Sequence, residues 1–263
     1  MLPRARGTTI VWRRFESSQG CKLMPIAVCL RKPLTTLAAV CLVCSPSLTQ
    51  ALRATPIDWT DWSAATVGSP TGGTAAGTIG SINVSYSGEV TGNTVVGAGF
   101  APGSGYPSWG PTTTFSGGTI DNTPTYGDII GLDGGSSAVN TITFSTPVVN
   151  PVMAIWSLGS GGAPTSFQFD AGEPFTIESG GPSNEYGGST IYTVASPLDA
   201  VFGNEGNGTI QFSGTYSSLT WTNPQFEAWF GFTVGVPVPE PASATLAIFG
   251  LAASVVWWRR RLA

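Results

Sequence analysis

Between Thr55 and Pro237, apolar residues return at alternate positions in short runs broken by Gly, Pro, Asn and Asp. Alternation places one set of side chains on each face of a strand, so this spacing commits the segment to β structure. In Ser81 to Ser87, Ile82, Val84 and Tyr86 share a face. In Asn140 to Thr146, Ile142 and Phe144 do, with Thr141, Thr143 and Ser145 opposite. Further runs lie at 152–157, 166–170, 175–178, 190–194, 209–213, 218–222 and 229–234, and no useful helical period occurs before Ala242. Many short strands with turn signals between them predict an all-β fold, an antiparallel β-sandwich of jelly-roll-like form. Gly208 to Thr222 reads as a hairpin in which Ile210 and Phe212 meet Leu219 and Trp221. Trp59 and Trp62 read as packing residues of an N-terminal strand. Gly68 to Gly80 and Gly97 to Gly118, rich in small residues and Pro, read as loops or as a poorly ordered edge of the fold.

Charge is distributed unevenly. All eleven Lys and Arg residues lie at or before Arg53 or at Arg259, Arg260 and Arg261, while Thr55 to Pro237 carries thirteen carboxylates and no base. Such a body repels phosphates, which excludes nucleic acid as a partner. Its four cysteines all lie at or before Cys44, so the body forms no disulfide and no cysteine metal site. About 185 residues suffice for one domain with a sizeable core.

The same inventory narrows the chemistry. Histidine is absent from the chain, which removes histidine-based nucleophilic catalysis and most metal sites; with no lysine in the body, a serine-lysine dyad fails as well. Paired carboxylates leave a glycosidase as the one enzyme class with suitable groups. Glu173 and Glu178, the nearest pair, would point to opposite faces of one strand and read as solvated charges. No catalytic residue and no cofactor is therefore expected. Calcium suits the composition better than catalysis, with Asp128 and Asp133 in YGDIIGLDGG, or Glu205 beside Asn204 and Asn207 in GNEGNG, as candidate ligands, although neither segment matches the EF-hand or the nonapeptide calcium repeat. Tyr106 and Trp109 in GSGYPSWGP are the candidate sugar-stacking pair. Thr71, Thr74 and Thr78 lack the regular ranks that an ice-binding face needs.

The two ends carry targeting signals. Arg31 and Lys32 precede the apolar run Pro33 to Val43, followed by the small-x-small triplet Thr49-Gln50-Ala51. Residues 1–51 therefore read as a signal peptide cut after Ala51, with Ala54 the alternative and Met24 an alternative start. Ala242 to Trp258 is a seventeen-residue, mainly apolar run, spanning about 26 Å as a helix, just enough to cross a hydrocarbon core. Trp257 and Trp258 suit the headgroup level, and Arg259 to Arg261 hold the end in the cytoplasm.

Val238-Pro239-Glu240-Pro241, then the apolar helix 242–258, then Arg259, Arg260 and Arg261: this order resembles the PEP-CTERM sorting signal. The resemblance covers residues 238–263 and implies a substrate of exosortase, not an enzyme. Residues 140–236 are also similar to a β domain common among PEP-CTERM proteins, on the phrases NPVMAIWSLG and SLTWTNP. The expectation is a signal peptide at 1–51, a β-sandwich ectodomain at 52–237 and a sorting tail at 238–263. The protein would cross the inner membrane once before sorting and then reside at the cell surface or outside, in a structural or interaction role. A carbohydrate-binding module acting on exopolysaccharide is the alternative, and a glycoside hydrolase a distant one.

Overall fold

The computed structural model describes residues 54–97, 107–124, 127–194 and 199–238. The signal peptide expected at 1–51 and the helix expected at 242–258 lie outside the described residues. Near the start, β1 (Ile57–Trp59), β2 (Asp61–Thr66), β3 (Gly68–Ile79) and β4 (Ile82–Val90) precede a single-turn helix, α1 (Thr112–Phe115). Then come β5 (Ile130–Val149), β6 (Val152–Leu158), β7 (Thr165–Phe169), β8 (Phe175–Gly180), β9 (Ser189–Thr190), β10 (Tyr192–Thr193), β11 (Ala200–Gly203), β12 (Gly206–Phe212) and β13 (Thr215–Pro237). The architecture is all-β, and the named strands pair antiparallel except for β9 against β12.

Two long strands make one hydrogen-bonded sheet fold back on itself. Residues 215–222 of β13 pair with residues 139–149 of β5 and with β7; residues 230–235 pair instead with residues 130–132 of β5 and with β6. The register breaks between these parts, at Asn223, Phe226 and Phe230, and breaks of this kind let a strand bend from one layer into the next. One layer runs β2-β3-β4-β5-β13-β7-β11-β10, and the other is built on β6, β12 and β8 beside the C-terminal part of β13.

Rings from the two layers meet in the main core. Phe232 contacts Tyr86 and Trp221 at centroid distances of 5.4 and 5.0 Å, and Phe212 meets Phe169 at 5.0 Å. Alternation along β6 divides its side chains between two cores. Met153 and Ile155 enter the main one, while Val152, Ala154 and Trp156 face a second with Ile57, Trp59, Trp109, Phe115 and Ile120. The excursion between β4 and β5 covers that second core, which is why β6 is buried on both faces.

Two expectations need correcting. Gly68–Ile79 is a strand, paired with β2 and β4, and not a loop. Its small residues answer to crowding: a Cβ at Gly77 would stand 2.5 Å from the Asp61 carbonyl oxygen, and one at Gly73 would stand 2.6 Å from Val90 Cβ. Because of that pairing Thr74 joins Thr66, Ser87, Thr141 and Thr220 in a cross-strand row, a rank that linear spacing hides.

Residues 208–222, expected as a hairpin, form an arch instead. β12 pairs with β6 and β8, and β13 with β5 and β7. The turn between them is tied elsewhere, with Asn150 N–H donating to the Gly214 carbonyl (2.7 Å) and Ser213 N–H to that of Pro174 (2.9 Å). Ile210, Phe212, Leu219 and Trp221 do enter one core, but from opposite layers.

Candidate functional site

The folded part gives way to the tail at a defined point. β1 pairs with the last residues of β13, Ile57 opposite Pro237 and Trp59 opposite Gly235, and the Val238 N–H donates to the Pro56 carbonyl at 2.8 Å. The first described strand therefore lies against the last strand before the tail. Val238 is 42 % exposed; Pro239, Glu240, Pro241 and Arg259 to Arg261 lie outside the described residues. No helix among the described residues is long and apolar enough to cross a membrane.

A second locality gathers carboxylates and rings where three irregular segments converge. Between Phe226 and Phe230, β13 carries two residues more than β5 opposite, a bulge that turns Glu227 inward and leaves Trp229 half-buried. Glu227 Oε2 accepts the Gly159 N–H at 2.5 Å. Burial, with Glu205 and Asp133 nearby, pushes the Glu227 carboxyl up to about 8, although the Gly159 bond opposes the rise.

At the end of β6, Ser157 takes a left-handed backbone (φ 55°), and so does Glu205 before β12 (φ 54°). Their side chains join, Ser157 Oγ donating to Glu205 Oε2 at 3.0 Å, and Asn207 Oδ1 accepts the Ser157 N–H at 2.8 Å. Two non-glycine residues held in this sparsely populated region mark a corner whose geometry the surroundings impose.

The third segment is the loop 181–188. Its Glu185 accepts the Ser108 N–H at 2.9 Å and the Trp156 indole N–H at 3.3 Å. Asn207 Nδ2 donates to the Gly187 carbonyl, and Ser189 N–H to that of Glu205. So held, the loop lays Tyr186 against Trp156 and Trp229 at 5.3 and 6.1 Å; those two rings meet edge-on at 4.8 Å. Tyr186 keeps 52 % of its surface exposed. The spacing in EAWFGF carries a trace of this corner, since Glu227, Ala228 and Trp229 interrupt the alternation that Phe230 and Phe232 resume.

The residues singled out from sequence fall elsewhere, Glu205 and Asn207 excepted. Trp109 does not face solvent as a stacking platform would: it is 1 % exposed, set edge-on to Phe115 at 5.3 Å. Tyr106 lies outside the described residues. Asp128 accepts the Gly97 N–H at 3.0 Å, and burial, reinforced by Asp61, raises it to about 6. Asp133 stands by Glu89 instead, raised by burial and by that neighbour, with a buried Oδ1 that has no partner. Asn204 accepts the Gly162 N–H. Among the described residues no group of three or more His, Cys, Asp or Glu side chains is placed to hold a metal ion.

Of the two glutamates considered as a pair, Glu173 is buried, not solvated. It takes the Thr220 N–H at 3.0 Å, and burial pushes it up to about 7. Glu178 accepts the Thr119 N–H at 2.9 Å.

No curated protein and no solved structure matches the chain. Residues 237–261 match the family model of the PEP-CTERM protein-sorting motif, and the match begins at the last residue of β13. A motif of this kind marks an exported protein that exosortase sorts at the membrane to the cell surface. On that match, the chain carries a PEP-CTERM sorting motif directly behind its β fold.

Proposed function

We propose that this protein is an exported component of the cell surface or extracellular matrix, held in the inner membrane by residues 242–258 until exosortase cuts near Val238 to Pro241. Its β domain then serves a structural or binding role, without enzymatic activity, in an exopolysaccharide layer. The observation that carries this reading is the sorting motif itself, whose match begins at the last residue of a folded strand paired at its end with β1. A folded strand that ends at Pro237 puts the sorting motif directly behind the β domain. The non-enzymatic part is supported by the lack of His, Lys, Arg and Cys from Thr55 to Pro237. It is supported too by Glu173 and Glu178, each of which accepts a backbone N–H within the fold.

The test is the intact mass of the protein from cells with and without exosortase, for wild type and Glu240→Ala. Loss of the residues beyond the 238–241 region only when enzyme and motif are both intact is the expected outcome. A full-length C-terminus in every sample would make the tail a plain anchor and overturn the sorting reading.

A further inference from the structure

We infer that the corner formed by Tyr186, Trp229, Trp156 and Glu205 is a binding site for a neutral, hydroxyl-rich polysaccharide. The proposal concerns the β domain alone and does not depend on whether exosortase processes the tail.

Sugar recognition needs an exposed ring face held rigidly and a nearby acceptor for hydroxyl protons. Tyr186 supplies the ring. It is half exposed, yet its loop is fixed by bonds from Asn207 Nδ2 to Gly187 O (3.1 Å), from Ser189 N to Glu205 O (3.0 Å) and from Asn184 N to Gly110 O (2.8 Å). Trp156 and Trp229 back the ring, so little side-chain freedom is left to lose on binding. Gly188 closes this loop at φ 85°, where a Cβ would collide with the Glu205 carbonyl oxygen, so loop and carboxylate-bearing turn are in direct contact.

Glu205 supplies the acceptor. Ser157 Oγ occupies its Oε2, which orients the carboxylate and leaves Oε1 for a ligand hydroxyl. Glu227 lies within electrostatic reach behind it, held on Gly159. Charge selects the ligand class. With no Lys, Arg or His between Thr55 and Pro237, nothing at this corner compensates an anion, so sulfated or uronate polymers are repelled and neutral sugars are not.

The full-length chain in detergent would be assayed by affinity electrophoresis in gels containing a neutral glucan, mannan or galactan, with a polyuronate as the anionic control. Retardation by at least one neutral polymer and none by the polyuronate is expected. Tyr186→Ala should weaken it about tenfold and Tyr186→Phe should preserve it, since stacking uses the ring and not the hydroxyl. Tyr192→Ala serves as a control, because Tyr192 is also exposed but stacks on Phe202 in the other layer. Near-UV circular dichroism of each variant would confirm an intact fold. No retardation by any of the three neutral polymers, preferential retardation by the polyuronate, or unchanged retardation of a folded Tyr186→Ala variant would each overturn the proposal.

Discussion

Asn140 and Asn223 hold together a polar thread that runs through an otherwise aromatic core. Asn140 Oδ1 accepts from the Tyr86 hydroxyl at 2.6 Å and from the Glu89 N–H at 3.0 Å, while its Nδ2 donates to Asn223 Oδ1 at 3.0 Å. Asn223 Oδ1 also takes the Trp221 indole N–H, and its Nδ2 donates to the Ser166 carbonyl. Every donor here is out of water, so removing one amide strands several partners at once. Asn140→Ala should cost about 2–4 kcal/mol, measured by urea unfolding, well above the net worth of one exposed hydrogen bond. The buried acids make a second residue-scale prediction. Glu173 and Glu227 have an ordinary value of 4.5 but titrate at about 7 and about 8 in the fold. A raised folded value favours the protonated group, so the stability is whole below about pH 4.5 and is lost as pH rises through 7 and 8. The melting temperature should therefore fall from pH 5 to pH 9, and Glu227→Gln, which cannot ionise, should fall less. An equal fall in the variant would show that Glu227 is not the group responsible.

Among the elements, β2 depends most on a single side chain. Only Trp62 of its six residues is buried, and the indole N–H reaches across to Thr233 Oγ1 on β13 at 3.1 Å. Trp62→Ala should cost about 3–5 kcal/mol by urea unfolding, with amide exchange rising first along β2 and the adjoining part of β3. The alternation that identifies β4 and the second half of β5 is plain in the sequence because one face of each is solvated. β6 is the opposite case: it is buried on both faces by two separate cores, so its apolar run shows a strand without showing what covers it. β3 was hidden for a different reason. Glycines and alanines usually signal a loop, but here they permit close strand approach, and that cause lies in β2 and β4, not in β3 itself. The arch at 213–214 was hidden likewise, since a short polar turn between apolar strands fits a hairpin until its bonds to Asn150 and Pro174 are seen. The Tyr186 corner depends on contacts between residues as distant as Trp156 and Trp229, and only the broken rhythm of EAWFGF pointed towards it.

Over the whole molecule, one sign of charge dominates. Thirteen carboxylates without a base between Thr55 and Pro237 repel one another in the fold. Raising ionic strength from about 0.01 to 0.15 M shortens the screening length from about 30 to 8 Å and should raise the melting temperature at pH 8. An unchanged or lower value would mean that the charges are too far apart to matter. A different consequence follows from the strand that leads into the tail. Any pull delivered through Val238 enters β13, whose residues 215–237 are bonded in turn to β1, β6, β5 and β7, across both layers. Tension along such a strand shears many bonds together and cannot peel them one at a time, so a domain tethered at this point is loaded along its most cross-linked line. Drawn from the other end, through residues before Thr55, the same force would meet the bridge of Thr55 to Ile120 and then the three-residue β1, so fewer bonds would share the load at the start.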